Sequence, residues 1–204
     1  MQVIVIDSCL ACAEGLVSWV RTAGYSASLL QHNEETLFLI TQISATEPIF
    51  VIGPTMPTHE MFALCHKLQV YDNNRTNAKS RLILISPDAD DFTLQCDAAF
   101  VGAVACLPIT INAETFLEAV TYVGKGCSLI PQDVMRQAFL PIGLTPAELD
   151  VLKIMAEGVT DAQIAYKLHK GHQTVRTQIK TIFEKLQVNT RTKAIYRARL
   201  RGLI

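Results

Sequence analysis

Four short runs in which every residue is apolar constrain this chain most: VIVI at 3–6, IFVI at 49–52, LILI at 82–85 and AVACL at 103–107. A strand with one face in water alternates apolar and polar residues. One that is apolar throughout must be covered on both faces, as in a parallel sheet with helices above and below. The intervals between the runs fit that demand. Helical patterns occupy Ala11 to Thr22 (with Leu16, Val17, Trp19 and Val20, up to Gly24), Glu34 to Ile43, His59 to Val70, Phe92 to Ala98 and Ala113 to Gly124. Tyr25 to Leu30 adds a further strand, and Tyr71 to Ser80, with Asp72-Asn73-Asn74-Arg75, reads as a polar loop of uncommon length. Five strands alternating with five helices predict an α/β doubly wound, five-stranded parallel sheet of flavodoxin-like kind over residues 1–137.

After a short linker at 138–143 the pattern changes to helices alone. Leu144-Thr145-Pro146-Ala147-Glu148 reads as a cap with proline at the first helical position, followed by an apolar stripe of Leu149, Leu152, Met155 and Ala156 ending near Gly158. Thr160-Asp161-Ala162-Gln163 has capping-box spacing and opens a helix with Ile164, Ala165 and Leu168 inward. A tight connection, Lys170-Gly171-His172, leads into Gln173 to Leu186, and Thr190 to Leu200 makes one more helix. At 100° per residue, Val175, Ile179, Ile182, Phe183 and Leu186 share one side of the third helix, and Gln173, Arg176, Thr177, Lys180, Thr181 and Glu184 the other. Two short helices joined by a glycine-containing turn, the second with a hydrogen-bonding and cationic outer face, are a helix-turn-helix arrangement.

The charge distribution agrees. Residues 1–143 hold 7 basic and 14 acidic side chains, net −7, whereas 144–204 hold 11 basic and 5 acidic, net +6, giving the overall −1. A basic C-terminal half suits a polyanion and an acidic N-terminal half repels one. Half the residues are hydrophobic, which excludes a disordered chain. The opening MQVIVID lacks a basic leader and no apolar run approaches the roughly 18 residues a membrane helix needs, so a cytoplasmic protein with no membrane partner is expected.

LTPAELDVLKIMAEGVTDAQIAYKL, TVRTQIKTIFEKLQV, RTKAI and the terminal GLI together resemble the DNA-binding domain of the LuxR/FixJ (NarL-type) transcription regulators over about the last 60 residues. Gly171 stands where that family usually has a serine cap, and His169 and Lys170 replace apolar residues of the turn. The resemblance implies base contacts from Arg176, Thr177 and Lys180, phosphate contacts from Lys170, Thr174, Gln178 and Lys185, and Arg191 close to the DNA backbone. It also implies pairing of two copies through the last helix.

A five-stranded sheet ahead of such a domain resembles, more weakly, the receiver domain of two-component response regulators, on Val3-Ile4-Val5-Ile6-Asp7, Met56-Pro57, Gly102-Ala103 and the passage from Ala119-Val120 through Gly126 to Ile130-Pro131. Receiver chemistry needs a nucleophilic carboxylate, a second acid for Mg²⁺, a hydroxyl and a lysine. At the aligned positions this chain has Gly53 for the nucleophile, Ser8 beside Asp7 for the second acid, and Ile109 for the lysine; only Asp7 and Ser86 remain. Asp88, Asp90 and Asp91 read as a solvated helix-capping cluster. The expectation is an atypical receiver that is not phosphorylated.

Cys9-Leu10-Ala11-Cys12 has CxxC spacing, but zinc sites pair two such knuckles and this chain has one. The default for all six cysteines is a buried, reduced thiol, with Cys9 and Cys12 no more reactive than Cys65, Cys96, Cys106 and Cys127; the alternative gives Cys9 and Cys12 a redox role, in the loop and first helical turn above the carboxyl edge of the sheet. Trp19 is expected in the core. With no complete nucleophile and base set and no phosphate-cradling glycine loop, the reading is a bacterial transcription regulator, not an enzyme, without a cofactor, binding double-stranded DNA as a homodimer. The alternative makes the receiver-like half the main actor, a sensor or docking module for a small molecule, thiol oxidant or partner protein.

Overall fold

The computed structural model describes residues 1–43, 47–73 and 80–204. These fall into two compact units, Met1–Phe139 and Leu140–Ile204. The first is built from β1 (Gln2–Asp7), α1 (Leu10–Thr22), β2 (Ser26–Gln31), α2 (Thr36–Thr41), β3 (Ile49–Ile52), α3 (Thr58–Asn73), β4 (Arg81–Ser86), α4 (Phe92–Phe100), β5 (Ala103–Pro108), α5 (Ala113–Gly124) and α6 (Gln132–Ala138). The strands form one parallel sheet in the order β2-β1-β3-β4-β5. All four residues of β3 are buried, and β1 and β4 are buried after their first residue, because they lie inside the sheet. At the edges β2 and β5 alternate or fade, so only the three central strands are apolar on both faces throughout.

Side chains alternate along each strand, so Val3, Val5, Val51, Ile83, Ile85 and Ala105 share one face. There they join Ala13, Leu16, Val17 and Val20 of α1 and Phe116, Ala119, Val120 and Val123 of α5 in a single core. Trp19 packs against that core, its ring 6.0 Å from Phe116, as a core residue would. The alternate residues Ile4, Ile6, Phe50, Ile52, Leu82 and Leu84 are buried as well.

Three elements differ from expectation. The helix foreseen over Glu34 to Ile43 is shorter, Thr36–Thr41. The helix foreseen as ending at Val70 runs on to Asn73, and Ser80 caps the carboxylate of Asp72 through both its amide and its hydroxyl at 2.8 Å; the rest of the foreseen loop lies outside the described residues. The segment before the linker forms α6, which packs on α4, Cys96 Sγ lying 3.8 Å from the Val134 carbonyl. At seven residues α6 is too short for its periodicity to stand out from a loop.

The second unit comprises α7 (Pro146–Met155), α8 (Asp161–Lys167), α9 (His172–Lys185) and α10 (Arg191–Leu200). Val151, Leu152, Met155, Ile164, Ala165, Val175, Ile179, Ile182, Leu186, Ala194 and Ala198 make its core.

Candidate nucleic-acid interface

The inward stripe of α9 is as read: Val175, Ile179, Ile182 and Leu186 are buried and Phe183 half-buried. On the other side Gln173, Thr174, Arg176, Thr177, Lys180 and Glu184 are exposed. Arg176 and Lys180 are four residues apart and so project from one face. Lys180 is 80% exposed and its approach to Glu184 is long, 3.9 Å, an interaction of little worth in water. The hydroxyls of Thr177 and Thr181 rest on the carbonyls of Gln173 and Thr177 at 3.1 and 3.2 Å, bonds readily exchanged for an outside acceptor. The helix starts at His172, one residue before the expected start, with Gly171 as an N-cap that offers no side-chain bond.

The turn that aims α9 is not made by Gly171, whose φ of −65° any residue adopts. His169 makes it, at φ 51°. Its amide reaches the Tyr166 carbonyl at 3.2 Å and the Lys170 amide reaches Ala165 at 2.9 Å, the paired bonds of a Schellman ending. Because a β-carbon at positive φ costs about 1 kcal/mol, less for histidine than for branched residues, glycine should do better here. His169→Gly should raise the melting temperature of a 144–204 fragment by several degrees in a calorimetric scan. An unchanged or lower midpoint would contradict this account of the turn.

Three cations clamp the frame. Glu148 and Thr145 form a capping box at the start of α7, and the Glu148 carboxylate also accepts from Lys185 Nζ at 2.7 and 3.0 Å, tying the start of α7 to the end of α9. Arg191 donates to Asp161 Oδ1 at 3.0 Å and to the carbonyls of Met155 and Val159 at 3.2 and 2.5 Å, holding α10 against the α7–α8 corner. Arg197 donates to the Leu186 carbonyl at 2.6 Å, where α9 ends. Thr160 and Gln163 form the second capping box, as its spacing foretold. Lys170 Nζ meets Gln178 at 3.2 Å, so the turn and the flank of α9 are joined. Of the cations expected on phosphates, Lys185 and Arg191 are thus engaged within the unit and only 32% exposed. The sequence clue missed was Glu148, a capping residue only 7% exposed that needs a cation.

Lys185 holds the Glu148 carboxyl below the usual carboxylate range, with Thr145 assisting and burial opposing. A depressed folded value means the pair's stabilisation is present above the unfolded pKa, near 4.3, and is lost as pH falls through the folded one. Acid titration of the 144–204 fragment should therefore show a loss of stability below about pH 4 that Glu148→Gln removes. An identical acid limb in the variant would contradict the pairing.

In the first unit, register brings Asp7, Gln31, Ile52, Ser86 and Pro108 to one edge of the sheet, with Ser8, Gly53 and Ile109 just beyond. Asp7 is fully buried; its Oδ1 accepts from the Cys9 amide at 3.2 Å and from the Thr55 hydroxyl, and Oδ2 has no partner among the described residues. A β-carbon at Gly53 would lie 2.1 Å from Asp7 Oδ2 and 2.6 Å from its Cγ, so the Asp7 carboxylate fills the space a side chain there would use. Ser86 is buried, accepting from the Asp88 amide at 3.2 Å, while Ser8 and Ile109 are exposed. One carboxylate with an oxygen already twice bonded does not fit Mg²⁺, which wants several oxygen ligands at near-octahedral positions. Asp88, Asp90 and Asp91 are exposed, and Asp91 caps α4 by accepting from the Leu94 amide at 2.8 Å.

The cysteines divide. Cys65 and Cys96 are buried, and burial pushes the Cys65 thiol pKa up strongly and that of half-buried Cys106 up to about 12. Cys12 and Cys127 are exposed and Cys9, like Cys106, is half-buried, so the expectation of six buried thiols fails at these four.

Residues 143–198 match the family described as bacterial regulatory proteins, luxR family. The transcriptional regulatory protein YdfI of Bacillus subtilis (strain 168) is 24% identical over 215 residues, covering 100% of this chain and 97% of YdfI. The response regulator protein VraR of Staphylococcus aureus is 30% identical over 103 residues, 47% of this chain and 49% of VraR. Among solved structures, the two-component response regulator RcsB in complex with DNA is 17% identical over 98% of each chain, with a TM-score of 0.68. RcsB of Salmonella enterica serovar Typhimurium, bound to promoter rprA in the presence of the phosphomimetic BeF3−, is 17% identical over 97% of this chain and 98% of that one, with a TM-score of 0.65. At these identities the RcsB likeness is one of fold. Among the described residues no helix is long and apolar enough to cross a membrane. Residues 143–198 thus carry a domain of the luxR family of bacterial regulatory proteins, and over its whole length the chain is similar to a transcriptional regulatory protein.

Proposed function

We propose that this protein reads specific sites on double-stranded DNA as a homodimer and is controlled without aspartyl phosphorylation. The observation that carries the first part is the outer face of α9: Arg176, Thr177 and Lys180 stand exposed on a helix whose other side is locked into a core. Such a helix fits the major groove, where arginine and lysine recognise guanine edges and threonine serves either base. Lys170, Thr174 and Gln178 flank it as phosphate contacts. Lys185 and Arg191 add charge at the rim while Glu148 and Asp161 hold them in place, so their larger contribution is to the aim of α9. Pairing runs through α10. RcsB, whose fold this chain shares, has been seen as two dimers on two parallel DNAs, which supports both the DNA partner and the pairing.

The regulatory part is 1–137, the linker 138–143 and the DNA-binding part 144–204, acting in the cytoplasm and catalysing no reaction. What supports phosphorylation-independent control is the pocket at the sheet edge, where Asp7 lies over Gly53 and Ile109 replaces a lysine. An acyl phosphate has no acceptor there and no cation to neutralise it. Dimer formation is then set by concentration, or by a ligand or partner with differential affinity for the two states.

Selection of genomic fragments by the purified full-length chain tests the proposal. The expected outcome is enrichment of a two-fold-symmetric site whose half-sites are about 10 bp apart, with log affinity falling steeply with log salt. Recovery of no enriched sequence would contradict it.

A further inference from the structure

Cys9 and Cys12 stand at the N-cap and third position of α1, a 13-residue helix, so their side chains leave the same first turn. Both face outward, Cys12 exposed and Cys9 half-buried, unlike the sequestered Cys65 and Cys96. The backbone around Cys9 is held: its amide donates to Asp7 Oδ1 at 3.2 Å and to Thr55 Oγ at 3.1 Å. Two thiols on one turn at the start of a helix, the first on a backbone held by hydrogen bonds, form a cluster that none of the DNA-binding roles uses.

We propose that Cys9 and Cys12 are a peroxide-reactive dithiol, Cys9 the attacking sulfur and Cys12 the resolving one, which closes to a disulfide across the first turn of α1. The local field favours that division. The Cys9 sulfur lacks the geometry of a full capping bond, yet the Cys12 amide most, and then the Cys12 thiol and Ala11 amide, pull its pKa below the ordinary thiol value, against burial and the Asp7 charge. The Cys9 thiol beside it, then burial and the Asp7 charge, push Cys12 the other way, which suits it to the resolving role.

The oxidant is hydrogen peroxide. The Cys9 thiolate attacks one peroxide oxygen: an S–O bond forms, the O–O bond breaks, and the departing hydroxide takes a proton to become water. Cys12 then gives up its proton and attacks the Cys9 sulfur, so that S–S forms, S–O breaks and a second water leaves. Two thiols lose two electrons in all, and one peroxide becomes two waters. Neighbours three apart on a helix have Cβ atoms roughly 5–6 Å apart, against about 3.8 Å in a disulfide, so closure draws Cys9 inward by an ångström or two. That movement pulls on the amide bonds that Cys9 makes to Asp7 and Thr55.

The test uses the full-length reduced chain and needs no knowledge of its operator. At neutral pH iodoacetamide should label Cys9 on the order of tenfold faster than Cys127, which is also exposed but begins no helix. Stoichiometric hydrogen peroxide should lower the intact mass by two hydrogens, reversed by dithiothreitol, with peptide mapping placing the bond between Cys9 and Cys12. Cys12→Ser should stop at a sulfenic acid on Cys9 that dimedone traps, and Cys9→Ser, whose serine is the better helix cap, should fold and leave Cys12 unoxidised. Equal labelling of Cys9 and Cys127, or peroxide oxidation that spares the pair in the wild-type chain, overturns the proposal.

Discussion

Gly53→Ala should destabilise the sheet unit by about 2 kcal/mol and Gly53→Asp by about 4 kcal/mol, large effects for a position just past a strand end. A β-carbon there meets three atoms of the Asp7 side chain within 2.8 Å, and Asp7 is fully buried with little room to retreat. Aspartate adds a second carboxylate against the first, with no cation opposite because Ile109 stands where a lysine would. Asp7→Ala removes the two nearer atoms and leaves only the β-carbon at 2.8 Å, so the Gly53→Ala cost should fall to about half in that background, a coupling that a double-mutant cycle reads. Trp19, the single tryptophan, packs in this unit's core and reports its unfolding in urea by fluorescence. Additive costs in the cycle would mean that Asp7 and Gly53 do not compete for one space.

Arg176→Ala and Lys180→Ala should each cost about 1–3 kcal/mol of affinity for a selected operator, and the double variant on the order of a hundredfold or more. Both side chains are exposed on α9, so neither substitution should move the unfolding midpoint by more than about 0.5 kcal/mol. Lys185→Ala should behave in the opposite way. It strips the cation from a nearly buried carboxylate and should destabilise the DNA-binding unit by about 2 kcal/mol while changing sequence preference little. Fluorescence anisotropy with operator and scrambled duplexes, beside thermal unfolding, separates the two behaviours. Unchanged operator affinity in the Arg176 and Lys180 variants would remove α9 from the reading role.

The α/β architecture was legible in the runs at 3–6, 49–52 and 82–85, because apolar runs of only four residues, rich in valine and isoleucine and spaced by helical patterns, are too short for helices and suit strands covered on both faces. The C-terminal helices were legible through their caps, proline at 146 and the threonines at 145 and 160, which fix starts more sharply than propensity does. Strand order, α6 and the true turn residue were not. Order depends on which strands pair across long separations. The left-handed turn fell on His169 rather than the nearby glycine, since a Schellman ending is set by where α8 stops and not by where a permissive residue is available. At the sheet edge the missing receiver groups could be counted from sequence, but not that the Asp7 carboxylate fills the space a side chain at position 53 would use, a matter of side-chain packing. The dual use of cations was hidden for the same reason. Lys185 and Arg191 look like any other base on a basic domain until their carboxylate and carbonyl partners are placed.

Exposure to a small phosphodonor tests most directly whether the regulatory unit works without aspartyl phosphorylation. Purified full-length protein is incubated with acetyl phosphate and Mg²⁺, its intact mass is measured, and its affinity for a selected operator is compared before and after. The expected result is an unchanged mass and an unchanged Kd, since Gly53 offers no carboxylate and the Asp7 oxygens are buried. A stoichiometric gain of one phosphoryl group, lost on mild alkaline treatment and accompanied by tighter DNA binding, would contradict it and direct attention to Asp88, Asp90 or Asp91 as the acceptor.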